Sequence, residues 1–393
     1  MSQRGRHAAV GPRATVWATA ALSAAAALGS GGCGGAVDRV GASIDAAADV
    51  VHAGEGDAAT GDAGPASPLD VGTEAGSDAE PDAGPDMPGP EAGRPGPLVL
   101  FGGADANTLT TGVALGDTWL WDGNVWTQAS GVAAPQARSY HSMSTLNGNV
   151  VLFGGDDGMG NQLSDTWTWD GRGWTLGSAA PHPKAVEAFA MAKANDRIVL
   201  FGGYQGTTGT VSGETWIWDG MGWGLNQAST SPDARRDHAM ATLGGQVVLF
   251  GGGGEQSSST MNDQWTFDGV TWTAYVGAGR PGPRRGHSMA TLGSKVVLFG
   301  GESCGPPSGP PVCALLSETW EWDGTTWTEA TPAASPPARH GAAMATLGDK
   351  IVLFGGAGMT VLHDTWEWDG TTWTERHPAV APPSRYQHAM SSR

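Results

Sequence analysis

The sequence predicts an all-β chain of six four-stranded antiparallel sheets closed into a ring, and three observations predict it. The eleven-residue stretch Asp364-Thr365-Trp366-Glu367-Trp368-Asp369-Gly370-Thr371-Thr372-Trp373-Thr374 recurs, with copies beginning at Asp117, Asp165, Glu214, Asp263 and Glu318; Gln264 and Phe267 are the main departures. Each copy follows a Phe-Gly-Gly, at Phe101, Phe153, Phe201, Phe250, Phe299 and Phe354. The interval of about fifty residues marks a repeat architecture in which each unit covers its neighbour. A four-stranded sheet apolar on both faces cannot stand alone in water, and a ring covers every face without leaving an open end.

Each unit reads as four strands, a to d. Strand a of the last complete unit runs from Arg339 to Leu347 and is ended by the tight turn Gly348-Asp349. Strand b, Lys350-Ile351-Val352-Leu353-Phe354, is the largely apolar run of a strand buried on both faces. Strand c carries Trp366 and Trp368, two apart and so on one face. Asp369-Gly370 is a hairpin signal, and Trp373 begins strand d.

The Val-Val-Leu-Phe-Gly-Gly run (Val296 to Gly301) and the aromatic followed across a turn by Trp (Trp368, then Trp373) resemble kelch repeats over Leu98 to Arg393. The turn between the aromatics is shorter than that family's usual one, and Trp368 stands where Tyr is common. The resemblance implies a six-bladed β-propeller with strand a innermost and strand d outermost. The first unit begins at strand b (Leu98 to Phe101), while a lone strand a, Arg385 to Ser392, ends the chain. The C-terminal strand is therefore expected to complete the first blade and close the circle.

Two segments precede the repeats. Residues 1–33 carry Arg4, Arg6 and Arg13, then an Ala/Leu-rich run from Trp17 to Gly29, the pattern of an export signal and too short for a membrane span. Ser30-Gly31-Gly32-Cys33 resembles a bacterial lipoprotein lipobox, with Ser30 where that pattern wants Leu. It implies lipidation at Cys33; ordinary cleavage nearby and a freely secreted product is the alternative. Residues 34–97, rich in Ala, Gly, Asp and Pro and without an aromatic, are expected to form a disordered acidic linker. The predicted localisation is exported: an outer membrane-anchored lipoprotein, at the cell surface or in the periplasm.

The formal charge is −18, and residues 98–393 are themselves acidic, with sixteen Lys/Arg against twenty-six Asp/Glu. Such a surface argues against nucleic acid as a partner, since phosphate contacts need clustered Lys/Arg. Cys304 and Cys313 bracket one Pro/Gly-rich loop, and export makes a disulfide between them the expected state. That leaves Cys33 alone, as a lipidated residue would be.

Strand a carries further registers. A Pro stands eight residues before Met143, Met191, Met240, Met289, Met344 and Met390. An Arg stands five before in Arg138, Arg235, Arg284, Arg339 and Arg385, with Val186 the exception. A His stands two before in His141, His238, His287 and His388, replaced by Phe189 and Ala342. A metal would need the imidazoles to converge, which separate blades oppose, so these are read as buried packing residues and no metal is assigned. An acid opens every strand c: Asp117, Asp165, Glu214, Asp263, Glu318 and Asp364. Strands a and c start at one end of the sheet, so the Arg and acid columns face one rim. They are read as an ion-pair girdle or as ligand-binding residues.

The a–b and c–d turns are uniform, whereas the b–c loops range from Ala357–His363 to Glu302–Ser317, and the d–a loops vary too. Variation on one face of a rigid scaffold is where recognition resides. The lead segments are Ala104 to Gly116, Tyr204 to Gly213 and the Cys304–Cys313 loop. Carbohydrate stacking on the Trp columns is weighed against core packing, and recurrence at the same positions favours the core. No nucleophile elbow, P-loop, dinucleotide fingerprint or His-Glu-x-x-His helix is present. A copper radical oxidase, another kelch-type propeller, needs a Tyr-Cys crosslink that Tyr140, Tyr204, Tyr275 and Tyr386 and the two paired Cys do not offer. The expectation is a non-catalytic binding scaffold, without a cofactor, that recognises a protein or glycan on the b–c/d–a rim, touching a membrane only through its anchor. The alternative is a carbohydrate-active enzyme, a glycosidase or sugar isomerase, using rim carboxylates.

Overall fold

The computed structural model describes residues 96–105, 113–131, 133–177, 181–255, 260–305 and 313–393. The export signal, Cys33 and residues 34–95 of the linker fall outside them. Six four-stranded antiparallel sheets form the blades of a propeller, each in the order a-b-c-d. The first blade joins Ala389–Ser391 to Leu98–Phe101, then Thr118–Trp121 and Trp126–Ala129. Met390 pairs with Leu100 and Ala389 with Phe101, so the C-terminal strand closes the circle as its sequence position implied.

Strand b is buried in every blade, apart from its polar first residue in the second to sixth, because both of its faces meet neighbouring sheets, which its continuous apolar run permits. The a–b turns hold two residues, as between paired Leu146 and Asn149. Asn147 and Gly148, like Gly244 and Gly245, both have positive φ, which matches a turn suited to strand twist. The c–d connection is longer than a two-residue hairpin: Trp368 pairs with Trp373 across four residues. Asp369 Oδ1 accepts the N–H groups of Thr371 and Thr372, both at 2.8 Å, and Asp122, Asp170, Asp219, Asp268 and Asp323 repeat this turn.

The strand-d Trp is the wedge between blades. Trp174 lies against Trp169 of its own blade at 5.5 Å and against Phe101 of the preceding blade at 5.5 Å. Its indole N–H donates to Thr118 Oγ1, also in the preceding blade, at 2.9 Å. The same reach links Trp126 to Thr365, Trp223 to Thr166, Trp272 to Thr215 and Trp373 to Thr319. Where Gln264 replaces Thr, Trp327 donates to its Oε1 at 2.6 Å. Each such indole is buried, contributing about 2–3 kcal/mol of apolar transfer in addition to its hydrogen bond.

Strand a is shorter than expected. Its ladder begins at Ala343, not Arg339, and in the last segment at Ala389, not Arg385. The four preceding residues leave the strand because one of them is forced into the left-handed region, for a reason that lies at the axis. Inside the ring, the six Met line a cavity of about 200 Å³ together with Ala, Ser, Thr and Lys193. Each Met also belongs to a separate interblade cluster, so these side chains seal blade seams. Thr242 Oγ1 donates to the Lys193 carbonyl of the preceding blade at 2.7 Å, and Thr291 and Thr346 repeat that link.

Candidate binding face

The acid that opens strand c organises the rim of its blade. Arg138 donates to both oxygens of Asp165 at 2.6 and 2.9 Å, to the Gly154 carbonyl at 3.0 Å and to the Gln136 carbonyl at 2.9 Å. One guanidinium thus ties the d–a loop, the end of strand b and the start of strand c. Arg235 with Asp263, Arg339 with Asp364 and Arg385 with Asp117 repeat it in bidentate form, and Arg284 reaches Glu318 at 2.5 Å. The acid also accepts the first strand-c indole, as Asp165 accepts Trp167 at 2.7 Å. In the third blade Val186 is buried where an Arg would stand, and Glu214 accepts Trp216 at 2.9 Å.

These guanidiniums are 0–1% exposed, while their acids are 18–39% exposed. A ligand on the rim would meet the carboxylate edge of each pair. Burial raises the carboxyl pKa, but the Arg hydrogen bonds and charge, helped by the indole N–H, outweigh it. Asp117, Asp165, Asp263, Glu318 and Asp364 all lie below their ordinary values.

The four His are buried, each edge-on to the Phe of the preceding blade's Phe-Gly-Gly: His141 to Phe101, His238 to Phe201, His287 to Phe250 and His388 to Phe354, all at 5.6–5.7 Å. Phe189 occupies the same place against Phe153 at 5.8 Å. Burial, with the adjacent Arg as a second cause, pushes His141 and His287 down to about 3 and His238 and His388 well below their ordinary value.

The double glycine follows from the approach of the next blade. Gly103 N donates to the Arg138 carbonyl at 2.9 Å, and a Cβ on Gly102 would stand 2.5 Å from that oxygen. This brings the segment before each strand a up to the axis. There Tyr140 N donates to the Gln387 carbonyl, Ala188 to Tyr140, Asp237 to Ala188, Gly286 to Asp237, Gly341 to Gly286 and Gln387 to Gly341, at 2.7–3.0 Å. The six links form a closed cycle of backbone hydrogen bonds around the axis. All six residues have φ between 54° and 63°, which is why strand a starts only after them.

Two of the six are Gly, the residue that conformation favours, while Tyr140, Ala188, Asp237 and Gln387 adopt it at a cost of about 1–2 kcal/mol each. Their neighbours along the chain are Ser139, Glu187, Arg236, Arg285, His340 and Tyr386, and these pair through the backbone with Asp156, Tyr204, Gly253, Glu302, Ala357 and Ala104 after the double glycines. Three columns of the repeat, each holding five residue types in six places, therefore converge on one axial mouth. Arg285 donates to Glu302 at 2.8 Å, and the Arg236 guanidinium lies 5.2 Å from the Tyr204 ring centre. Burial, then the charges of Asp156 and Asp237, push Glu187 up to about 7; burial also raises Asp237.

Around the mouth, Ala104–Asp105 pairs with Val113–Ala114, Tyr204–Gln205 with Thr210–Val211, and Glu302–Cys304 with Cys313–Leu315. The fourth blade extends strands b and c past their usual ends, to Gly252 and from Met261. The loops are joined sideways: Gln162 donates to the Tyr204 carbonyl at 2.9 Å, Val211 N to Glu255 at 2.9 Å, and Thr260 to the Cys304 carbonyl at 3.3 Å. Cys304 and Cys313 form a disulfide. Glu302 lies within 4.8 Å of both sulfurs, which the disulfide removes as thiolate ligands.

The expected rim residues thus lie on the predicted face, with the Arg beneath it and the acids at its surface. The axial residues were not singled out from the sequence. Their signal was present as three columns without consensus beside the fixed Arg, His and Gly-Gly, but only the ring brings the columns together.

Residues 271–393 match the KLHDC2/KLHL20/DRC7 Kelch-repeats domain. No curated protein matches the chain. The matched stretch carries the same Phe-Gly-Gly, Asp/Glu-Thr-Trp and Asp-Gly-x-x-Trp elements as the units before it, in six blades of one topology, and residues 98–393 are a kelch-repeat β-propeller.

Proposed function

We propose that this chain is a non-catalytic binding scaffold that recognises a protein at the axial mouth and the b–c/d–a loops around it. Kelch-repeat propellers are generally protein-interaction scaffolds. The observation that carries the reading for this chain is the divergence at the mouth. The contacts that build the blades recur around the ring, whereas the mouth columns hold Ser, Glu, Arg, His, Tyr, Asp, Gln, Gly and Ala. Non-glycine residues held at positive φ in a position where two copies have Gly support a role for their side chains. A glycan is the second ligand class, and Tyr140, Tyr204 and Tyr386 are the side chains suited to stack on it.

The carbohydrate-active enzyme is the less supported reading. Glycoside hydrolysis divides an acid from a nucleophile by moving two carboxyls apart in pKa, whereas burial raises both Glu187 and Asp237. We further propose that the propeller is exported on the N-terminal signal and held at the membrane through Cys33. The disulfide supports an oxidising compartment.

Photo-crosslinking from the full chain in its native cells tests the binding face. A crosslinker replacing Tyr204 or Tyr386 should trap one shared partner, and one replacing Thr371 on the opposite face should not. Equal trapping from both faces would sink the assignment. Mass spectrometry of the mature N-terminus tests Cys33, which should be the first residue and acylated.

A further inference from the structure

We propose that the axial cavity binds a soft monovalent cation, Cu(I) or Ag(I), through the thioethers of Met143, Met191, Met240, Met289, Met344 and Met390. The inference concerns the core of the ring and stands apart from the partner read at the mouth. Each of these Met pairs with the strand-b Leu of its own blade: Met143 with Leu152, Met191 with Leu200, Met240 with Leu249, Met289 with Leu298, Met344 with Leu353 and Met390 with Leu100. One register shared by all the blades sets the six residues at one level of the axis.

The ring of inner strands is narrow at that level. Met191 N donates to Ser142 Oγ at 3.1 Å, Ser288 Oγ donates to the Ala342 carbonyl at 2.6 Å, and the hydroxyls of Thr145 and Ser391 lie 2.8 Å apart, each across a seam. The six Met bound a single cavity of about 200 Å³. Among the described residues that line it there is no His, Cys, Asp or Glu. A hard or borderline divalent ion therefore finds neither carboxylate nor imidazole, whereas thioethers are soft ligands that select Cu(I).

Met is unbranched, with three rotatable bonds, so a thioether at a seam edge can swing toward the axis. Leu, Ile or Val, which strand b places between the same blades, would seal the seam with apolar surface alone. What Met adds in all six blades is a sulfur donor. Lys193 is the one charged residue of the lining; it stands two positions beyond Met191 and is part-exposed, so its ammonium is free to stay in water. Thioethers carry no proton near neutral pH, so binding releases none and its affinity is level with pH. A site built on imidazoles would strengthen as they deprotonate.

The test uses the full chain with Cys33 acylated or alkylated, methionine labelled with carbon-13 at its methyl, and silver nitrate in chloride-free buffer. The methyl resonances are assigned by single Met→Leu substitutions, which nearly conserve volume. Those of the six axial Met should shift together and saturate at one Ag(I) per chain. Met159, Met221 and Met359, exposed on the surface, should not move before that point. Cu(I) kept reduced by ascorbate, with bicinchoninate as competitor, should give the same stoichiometry. Affinity for Ag(I) should change by less than about 2-fold between pH 5.5 and 7.5. A chain with Leu at Met143, Met191, Met240 and Met289 should bind Ag(I) at least about 10-fold more weakly, its melting curve showing that it folds. Unmoved axial methyls, earlier shifts at the exposed Met, affinity that climbs with pH, or unchanged affinity in the folded Leu variant would overturn the proposal. Should that variant fail to fold, the methyl shifts of the unsubstituted chain decide by themselves.

Discussion

The indole of Trp126 donates its N–H to the hydroxyl of Thr365 at 3.1 Å, joining the first blade to the sixth across 239 positions of sequence. The same bond is made at four other seams by neighbours only 54–57 positions apart. Ring closure therefore uses the ordinary contact between blades, together with the C-terminal strand.

Removing the acceptor should expose its worth. Thr365→Val keeps shape but leaves the Trp126 N–H buried and unpaired, a loss of about 1–3 kcal/mol. Thr118→Val at an internal seam should cost a similar amount. Urea unfolding of both variants checks this; a Thr365→Val loss under about 0.3 kcal/mol would show that closure does not depend on the bond.

Deleting residues 382–393 removes the innermost strand of the first blade, the Arg385–Asp117 pair and the packing of His388 on Phe354. The exposed edge of Leu98–Phe101 should lower the melting temperature by more than about 10 °C and promote aggregation. Scanning calorimetry and light scattering are the measurements. An unchanged transition would mean the circle is held without that strand.

The buried pairs should be costly to break from one side. Arg339→Leu leaves Asp364 with the Trp366 indole but without its guanidinium, takes the side-chain donor from the Gly355 carbonyl, and should destabilise by about 3–5 kcal/mol. Glu214→Gln should change stability by about 0.5 kcal/mol or less, because Val186 stands where its guanidinium would be. Chemical denaturation of the two variants separates a structural girdle from an incidental column of charges.

Acid should weaken the seams through the histidines. An imidazole held near 3 when folded and 6.5 when unfolded binds fewer protons in the folded state between those values. Its contribution is complete above about 6.5 and is lost as pH falls, by up to about 1.4 kcal/mol per pH unit for each His. His287→Phe copies Phe189 and should flatten the fall between pH 6.5 and 4.5 while keeping stability at pH 7. Urea midpoints across that range decide it, and parallel curves would exclude the histidines.

Glu187 should act with the opposite sign. Its folded carboxyl, near 7 against 4.5 when unfolded, holds its proton longer in the folded state, so stability falls as pH rises through that window. Glu187→Gln should raise the melting temperature at pH 8 and leave it unchanged at pH 4. A stabilisation equal at both pH values would exclude the crowded carboxyl as its cause.

The chain by itself determined the blade. Phe-Gly-Gly, the paired Trp, the Asp-Gly turn and the fixed Arg and acid columns are local patterns, and their physics of apolar burial, turn geometry and ion pairing acts within one repeat. It also determined the closure, since a first unit lacking strand a and a last strand lacking a unit leave one way to complete the sheet. Tertiary structure decided the axial mouth. Glu187, the adjacent Arg236 and Asp237, and Gln387 come from three different repeats and share no motif. They meet only because six backbone segments turn into the left-handed region and bond in a cycle around the axis, a geometry that no single repeat can hold.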